Sequence, residues 1–327
     1  MLNFKIAEFL PETKPNKYWK MLKEIGIKEV VGVLPRDFND WEKYAGEHPW
    51  DYLSLVKYKN MINDSGFNLI GIQDRPPMEK IRFGLEGKEE ELENIAKMIE
   101  NFGKLQIKLW CYNWMAGINW FRSRTHVSSE FGTVLAFNVE DLKNAENYHL
   151  KIKRDELWEN LKNFLNFIIP IAEDNDVKLA MHPDDPPIDS FLGIPRIMNS
   201  IESFDKLLDL NKSKYNGITL CQGNFTLMTD NLPEIIKHFN ERIFCVHFRD
   251  VIGDKYNFVE TLVGHGKTDL YKVMRAYNDI NFSGIMQVDH IPTLYSETPE
   301  VPGFSYLARL YTIGYINGLR ASMASFP

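Results

Sequence analysis

The 327-residue chain predicts one α/β domain, residues 1–327, folded as a (β/α)8 TIM barrel. Two observations carry that expectation. Short apolar runs alternate with amphipathic stretches almost from end to end, and four of the later runs close on a residue of metal-ligand type. Strand–helix units in such a series favour a closed barrel over an open sheet, and a barrel keeps its chemistry at the carboxyl ends of its strands.

The strand candidates are Lys5–Phe9, Glu29–Leu34, Asn68–Gln73, Gln106–Tyr112, Lys178–His182, Gly217–Cys221, Ile243–Phe248 and Gly284–Asp289. Each is short, apolar and followed by polar or turn residues, as a buried strand requires. Helical spacing fits Tyr18–Ile25, Tyr52–Asn63, Glu89–Phe102, Arg154–Glu173, Ser203–Leu210, Leu232–Phe239 and Asp269–Ala276. In Glu89–Phe102, Leu92, Ile95, Ala96 and Ile99 share one face, Glu and Lys take the other, and Gly103 stands where a helix would stop. Ser203 reads as an N-cap. Asn113 to Lys153 and Asp184 to Glu202 are too long for simple connections. Loops of that length on the active face cover sites, and the first, rich in Trp, Arg and Asn, reads as a lid over a polar ligand.

A hydrophobic share of 44% and a charged share of 25% are ordinary for a globular protein. The net charge of -7 argues against nucleic-acid and anionic-membrane partners, although a local group of Arg could still bind a small anion. Three cysteines make no disulfide framework, which favours a reducing compartment. Met1 to Lys5 lacks the flank of a signal peptide, and no apolar run is long enough to span a bilayer. A cytoplasmic location is expected.

The four ligand-closed runs are Leu179-Ala180-Met181-His182, Ile218-Thr219-Leu220-Cys221, Phe244-Cys245-Val246-His247 and Ile285-Met286-Gln287-Val288-Asp289. Any one of these residues alone is more often structural. Four at the ends of successive strands are hard to obtain from core packing, so His182, Cys221, His247 and Asp289 are the candidate metal ligands. Thiolate and imidazole suit zinc or iron, whereas a carboxylate with an open position also admits manganese or cobalt. Cys111 and Cys245 are set aside as packing residues, Cys245 being placed off the face that carries His247.

Polar residues surround these four. Arg249 is expected on the side of His247, either clamping a substrate carboxylate or pairing with Asp250 or another acid. His290, directly after Asp289, is the candidate proton donor or acceptor. Asp184 and Asp185 either orient His182 or cap a turn. Arg122, in the lid, either reaches a carboxylate or lies in solvent.

The segments Cys111-Tyr112-Asn113-Trp114-Met115, Trp120-Phe121-Arg122, Leu135-Ala136-Phe137, Met181-His182-Pro183-Asp184-Asp185-Pro186-Pro187, Leu220-Cys221-Gln222-Gly223-Asn224, His247-Phe248-Arg249-Asp250-Val251 and Asp289-His290 resemble the mannonate dehydratase family. The resemblance runs over most of the chain. It implies a barrel of the xylose-isomerase-like superfamily, with metal ligands falling on His182, Cys221, His247 and Asp289. It also implies manganese(II) as cofactor, a homodimer, and a place in hexuronate breakdown. The implied reaction removes water from D-mannonate to give 2-keto-3-deoxy-D-gluconate, with Asn113, Trp114, Arg122 and Asp184 binding the substrate.

The chain departs from the family at positions near the chemistry. Gln287-Val288 stand where the family has Arg-Pro, and Ile291 where it has Gly. Phe304 replaces a tyrosine implicated in catalysis, which leaves Tyr306 as the candidate substitute. An arginine of the family's first strand is absent from Lys5–Phe9. The pattern fits a paralogue that kept its metal chemistry and changed its substrate, its base, or both. The alternatives are a sugar isomerase or epimerase on the same barrel, against which the thiolate ligand argues, and a metal-storing barrel without activity. A repair endonuclease is disfavoured because neither a basic surface nor a carboxylate-rich metal cluster is evident.

Overall fold

All eight strand candidates form strands, and they close on one another as a parallel barrel. The computed structural model describes residues 3–36, 47–298 and 301–325. The barrel strands are β1 (Lys5–Phe9), β2 (Glu29–Gly32), β3 (Asn68–Ile72) and β4 (Leu109–Asn113), then β5 (Lys178–His182), β6 (Asn216–Cys221), β7 (Ile243–Phe248) and β8 (Ile285–Val288). Each pairs with the next, and β8 returns to β1 through Lys5 opposite Ile285. Parallel strands covered on both faces need apolar side chains throughout, and β6 and β7 are buried at every position. The run starting at Gln106 begins too early, because Gln106 turns at φ 57° in the connection and β4 starts at Leu109.

Two layers of core result. Outward-facing residues such as Val30, Ile72, Trp110, Leu179 and Val246 pack under the helices in one large cluster. Inward-facing residues fill the barrel, with Ala7, Phe9, Val31 and Phe304 in one group and Leu109, Cys111, Ala180, Phe244 and Cys245 in another.

The seven expected helices are present, Leu232–Phe239 with its expected bounds and the other six with shifted ends, and Glu89–Phe102 lies inside Lys88–Lys104. Ser203 is not a cap. The helix Ile201–Leu210 starts earlier, and it is the Ser200 hydroxyl that accepts the Ser203 N–H at 3.2 Å. Asp269 caps the helix Leu270–Asp279 by accepting from the Lys272 N–H. Three helices carry no clear one-sided pattern and were not expected: Glu79–Phe83, Gln222–Met228 and Tyr306–Ser325. The last is tied to β1 by a fully buried ion pair, Arg309 Nε to Glu8 Oε1 at 2.6 Å.

The long segment after β4 forms a sheet, not an irregular lid. Gly132–Asn138 pairs antiparallel with Arg124–Ser128, with Asn257–Thr261 from the β7 connection, and with Thr293–Leu294 after β8. Asp250–Asp254 adds the outer strand. Gly132 is required in this sheet. At φ 147° a Cβ there would lie 2.0 Å from the Thr293 carbonyl oxygen. Among the described residues, no helix is long and apolar enough to cross a membrane.

Candidate metal centre

Strands β5, β6 and β7 deliver His182, Cys221 and His247 at their carboxyl ends, and Asp289 follows β8 directly. One ligand atom from each lies within 4.8 Å of all the others. Register explains part of this: Cys221 sits opposite His247, and Val288 opposite Phe248. Asp289 Oδ2 is 3.5 Å from His247 Nδ1 and 3.7 Å from Cys221 Sγ. A cation with bonds of about 2.0–2.3 Å sets donors roughly 3.3–3.8 Å apart, so small movements would close the shell.

The donor chemistry fits such an ion. His247 Nδ1 is buried and, among the described residues, has no hydrogen-bond partner. His182 Nδ1 lies 2.7 Å from the Pro183 carbonyl oxygen, which only accepts, so Nδ1 holds the proton and Nε2 keeps its lone pair. Burial pushes the Cys221 thiol up, but the Arg249 guanidinium and the two imidazoles outweigh it and bring the thiol down to about 5. Burial also raises Asp289, and His290, His247 and Arg249 more than offset that, holding its carboxyl well below the usual range. A thiolate, a carboxylate and two imidazoles therefore converge. This mixed set suits a divalent transition ion without naming one.

Supporting groups fix this shell. Arg249 Nε is 3.1 Å from Cys221 Sγ and 3.2 Å from Asp289 Oδ2. Gln287 Nε2 lies 3.1 Å from His247 Nε2 and donates to Gln73 Oε1 at 2.7 Å. Gln287 thus stands behind a ligand instead of contacting the cavity. Cys245 lies on the same face as His247, not off it. Residues two apart on a strand point the same way, and Cys111, Cys245 and His247 form a second close group of donors.

The expected carboxylate clamps are consumed elsewhere. Arg122 grips Asp185 through Nη1 at 2.6 Å and Nη2 at 2.9 Å, and its Nε donates to Glu260 at 2.8 Å. Arg249 Nη2 donates to the same Asp185 at 3.0 Å. Both guanidiniums are buried, and neither lines the cavity. Asp184 does not reach the cavity either: it accepts the Met198 N–H at 2.7 Å and braces its own loop. Trp114 is a core residue, packed on Phe164 with its Nε1 donating to the Leu157 carbonyl at 3.3 Å. Tyr306 is no substitute for the missing hydroxyl. Its ring stacks on Tyr18 at 4.9 Å and its oxygen accepts from Asn16, on the helical side of β1.

A cavity of about 340 Å³ opens over the shell. His182, Asp289, His290, Asn113, Cys111 and Phe304 line it, joined by Gln73, Asp74, Arg75, Asn119 and Trp120. The sequence reading passed over these last five as candidates. Gln73 closes a strand candidate, so the rule that strand ends face the site could have found it and its followers. Asn113 is held in place by Arg82 Nη2 at 2.9 Å. His290 Nδ1 bonds Glu260 Oε1 at 3.1 Å, and its ring lies between Trp120 and Phe304 at 4.7 and 5.5 Å. Burial would lower His290, but Asp289 and Glu260 outweigh it and raise the imidazole above its ordinary value. Glu260 was invisible beforehand, because no spacing rule links a lid strand to a residue after β8.

Comparison with known proteins agrees with this geometry. The profile of the D-mannonate dehydratase (UxuA) family matches residues 17–151 and 138–326. A mannonate dehydratase of Oceanobacillus iheyensis is 33% identical, covering 92% of each chain. The crystal structure of mannonate dehydratase from Streptococcus suis serotype2 superposes with a TM-score of 0.88 at 27% identity, over 99% of this chain and 95% of that one. A xylose isomerase domain protein from Planctomyces limnophilus shares the fold alone, with a TM-score of 0.64 at 10% identity over 99% of both chains. With a matching profile over nearly the whole length and a four-donor shell at the barrel mouth, the chain belongs to the D-mannonate dehydratase family.

Proposed function

We propose that this protein is a hydro-lyase that removes water from a sugar acid, with D-mannonate as substrate and 2-keto-3-deoxy-D-gluconate as product. The single observation that carries the reading is the convergence of His182, Cys221, His247 and Asp289 beneath a cavity of hexonate size, in a chain of this family. Those four residues would hold a divalent ion, manganese(II) in our reading, which supplies Lewis-acid stabilisation of the negative charge that develops as the C2 proton leaves.

The chain's own residues do the rest. Asn113 and Asn119 present amides to the substrate hydroxyls, their own contact at 3.1 Å fixing both. Trp120 and Phe304 flank the cavity with apolar faces and hold the His290 ring between them. Glu260 takes the Nδ1 edge of His290, which turns Nε2 toward Asp289 and the cavity. From there Nε2 takes the C2 proton and delivers it to the C3 hydroxyl, which departs as water. Arg249 acts by holding Cys221 and Asp289 in place, so we treat it as a positioning residue. A homodimer in the cytoplasm completes the reading.

The test is anaerobic incubation of manganese-loaded protein with D-mannonate and related aldonates. A 2-keto-3-deoxy acid, one water lighter than its substrate by mass spectrometry, is expected. A product of unchanged mass would mean isomerase chemistry, and no product from any aldonate would remove the proposal.

A further inference from the structure

Among the described residues, the cavity holds one arginine that no carboxylate pairs with. Arg75 lines it, and its Nε is buried without a hydrogen-bond partner. Among the described residues no carboxylate forms an ion pair with it, whereas Arg122 and Arg249 are consumed by Asp185 and Glu260. The adjacent Asp74 is no exception, because its side chain is taken by Arg36, which also donates to the Arg75 carbonyl oxygen at 2.7 Å. Burial brings the Arg75 guanidinium down to about 9, with Arg82 adding to that and Glu79 and Asp74 only partly offsetting it. It remains a cation at neutral pH, short of a counter-charge. A half-buried guanidinium at the cavity wall, its buried Nε lacking an acceptor, is an arrangement that an incoming carboxylate relieves.

We propose that Arg75 is a carboxylate-binding residue of the cavity and that its guanidinium holds a carboxylate of the substrate. The inference rests on the reading of the cavity as a sugar-acid site and names the residue that selects an acid over a neutral polyol. The carboxylate could be C1 of an aldonate or the distal group of an aldarate. The chemistry of recognition is the same.

The experiment measures dissociation constants for D-mannonate, D-mannarate and D-mannitol on manganese-loaded protein. Stopped-flow tryptophan quenching reads binding before turnover, with Trp120 at the site as reporter. The wild-type protein is expected to bind the acids more tightly than mannitol. Arg75→Gln is expected to raise the acid constants about 10- to 100-fold and leave mannitol alone. Arg75→Lys, which keeps charge without the fork, should fall between. Loss of both acids alike assigns C1 to Arg75, and loss confined to mannarate's advantage assigns the distal carboxylate. Either supports the proposal. Unchanged acid binding in Arg75→Gln, an equal loss of mannitol, or a wild type that does not prefer acids overturns it. Product formed from D-mannonate by Arg75→Gln, with binding of both D-mannonate and D-mannarate unchanged, removes this inference and leaves the hydro-lyase reading standing. Arg75-dependent acid binding without product from any aldonate does the reverse.

Discussion

Replacing Asp185 by Asn tests whether the buried charge network supports the metal shell. Asp185 is 1% exposed and accepts from Arg122 at 2.6 and 2.9 Å and from Arg249 at 3.0 Å. Both arginine side chains are fully buried, so the change keeps the shape of the acid's side chain and leaves Arg122 with Glu260, and Arg249 with Glu260, Asp289 and the Cys221 sulfur. Breaking a buried pair by removing one partner costs about 3–5 kcal/mol. A second route starts from the acid itself. Burial raises the Asp185 carboxyl, but Arg122 and Arg249 outweigh it and bring it from 3.8 to about 2. That difference corresponds to about 2 kcal/mol of folding free energy. Because the folded value lies below the unfolded one, this stability is present above the unfolded value and is lost as the pH falls toward 2. Urea unfolding followed by tryptophan fluorescence should therefore find Asp185→Asn roughly 2–5 kcal/mol less stable at pH 7. The gap to wild type should close as the pH drops through the acid range. A variant within about 1 kcal/mol of wild type at pH 7, or a gap that persists undiminished in acid, would refute the reasoning.

Three further substitutions probe the centre and the proton carrier. A Cβ on Gly223 would lie 2.6 Å from Arg249 Cζ, so Gly223→Ala should push Arg249 off Cys221 and weaken divalent-metal binding about tenfold or more, read by metal titration. Gln287→Leu removes the amide behind His247 and should lower metal affinity about 10- to 100-fold, and equal affinity would show that Gln287 does not position the ligand. His290→Gln should cut kcat about 10²- to 10⁴-fold while metal content and KM stay near wild type, and a loss confined to KM would reassign His290 to binding.

Much of the molecule was legible in one dimension. Buried parallel strands must be apolar along their whole length, so each barrel strand announces itself locally, and the residue that ends it falls at the barrel mouth in any closed arrangement. That is why His182, Cys221, His247 and Asp289 could be named together before any coordinates. The lid sheet was not legible, because Arg124–Ser128, Gly132–Asn138 and Asn257–Thr261 gain their order only by pairing with one another across far-separated parts of the chain. The C-terminal helix Tyr306–Ser325 escaped notice for a related reason: it spreads apolar residues around its girth and relies on Arg309 meeting Glu8.

Charge partners were the other thing that sequence could not decide. An arginine two residues beyond a ligand looks the same whether it awaits a substrate or is already paired, and Arg249 and Arg122 are paired. Among the described residues Arg75, with no motif to mark it, is the arginine left facing the cavity. The sequence by itself determined the barrel and its candidate ligand set, since periodicity and strand ends are local properties of the chain. Which cations, aromatics and acids face the substrate was decided only in the tertiary structure, because the energy of a charge depends on neighbours that lie far away along the chain and on how completely water is excluded between them.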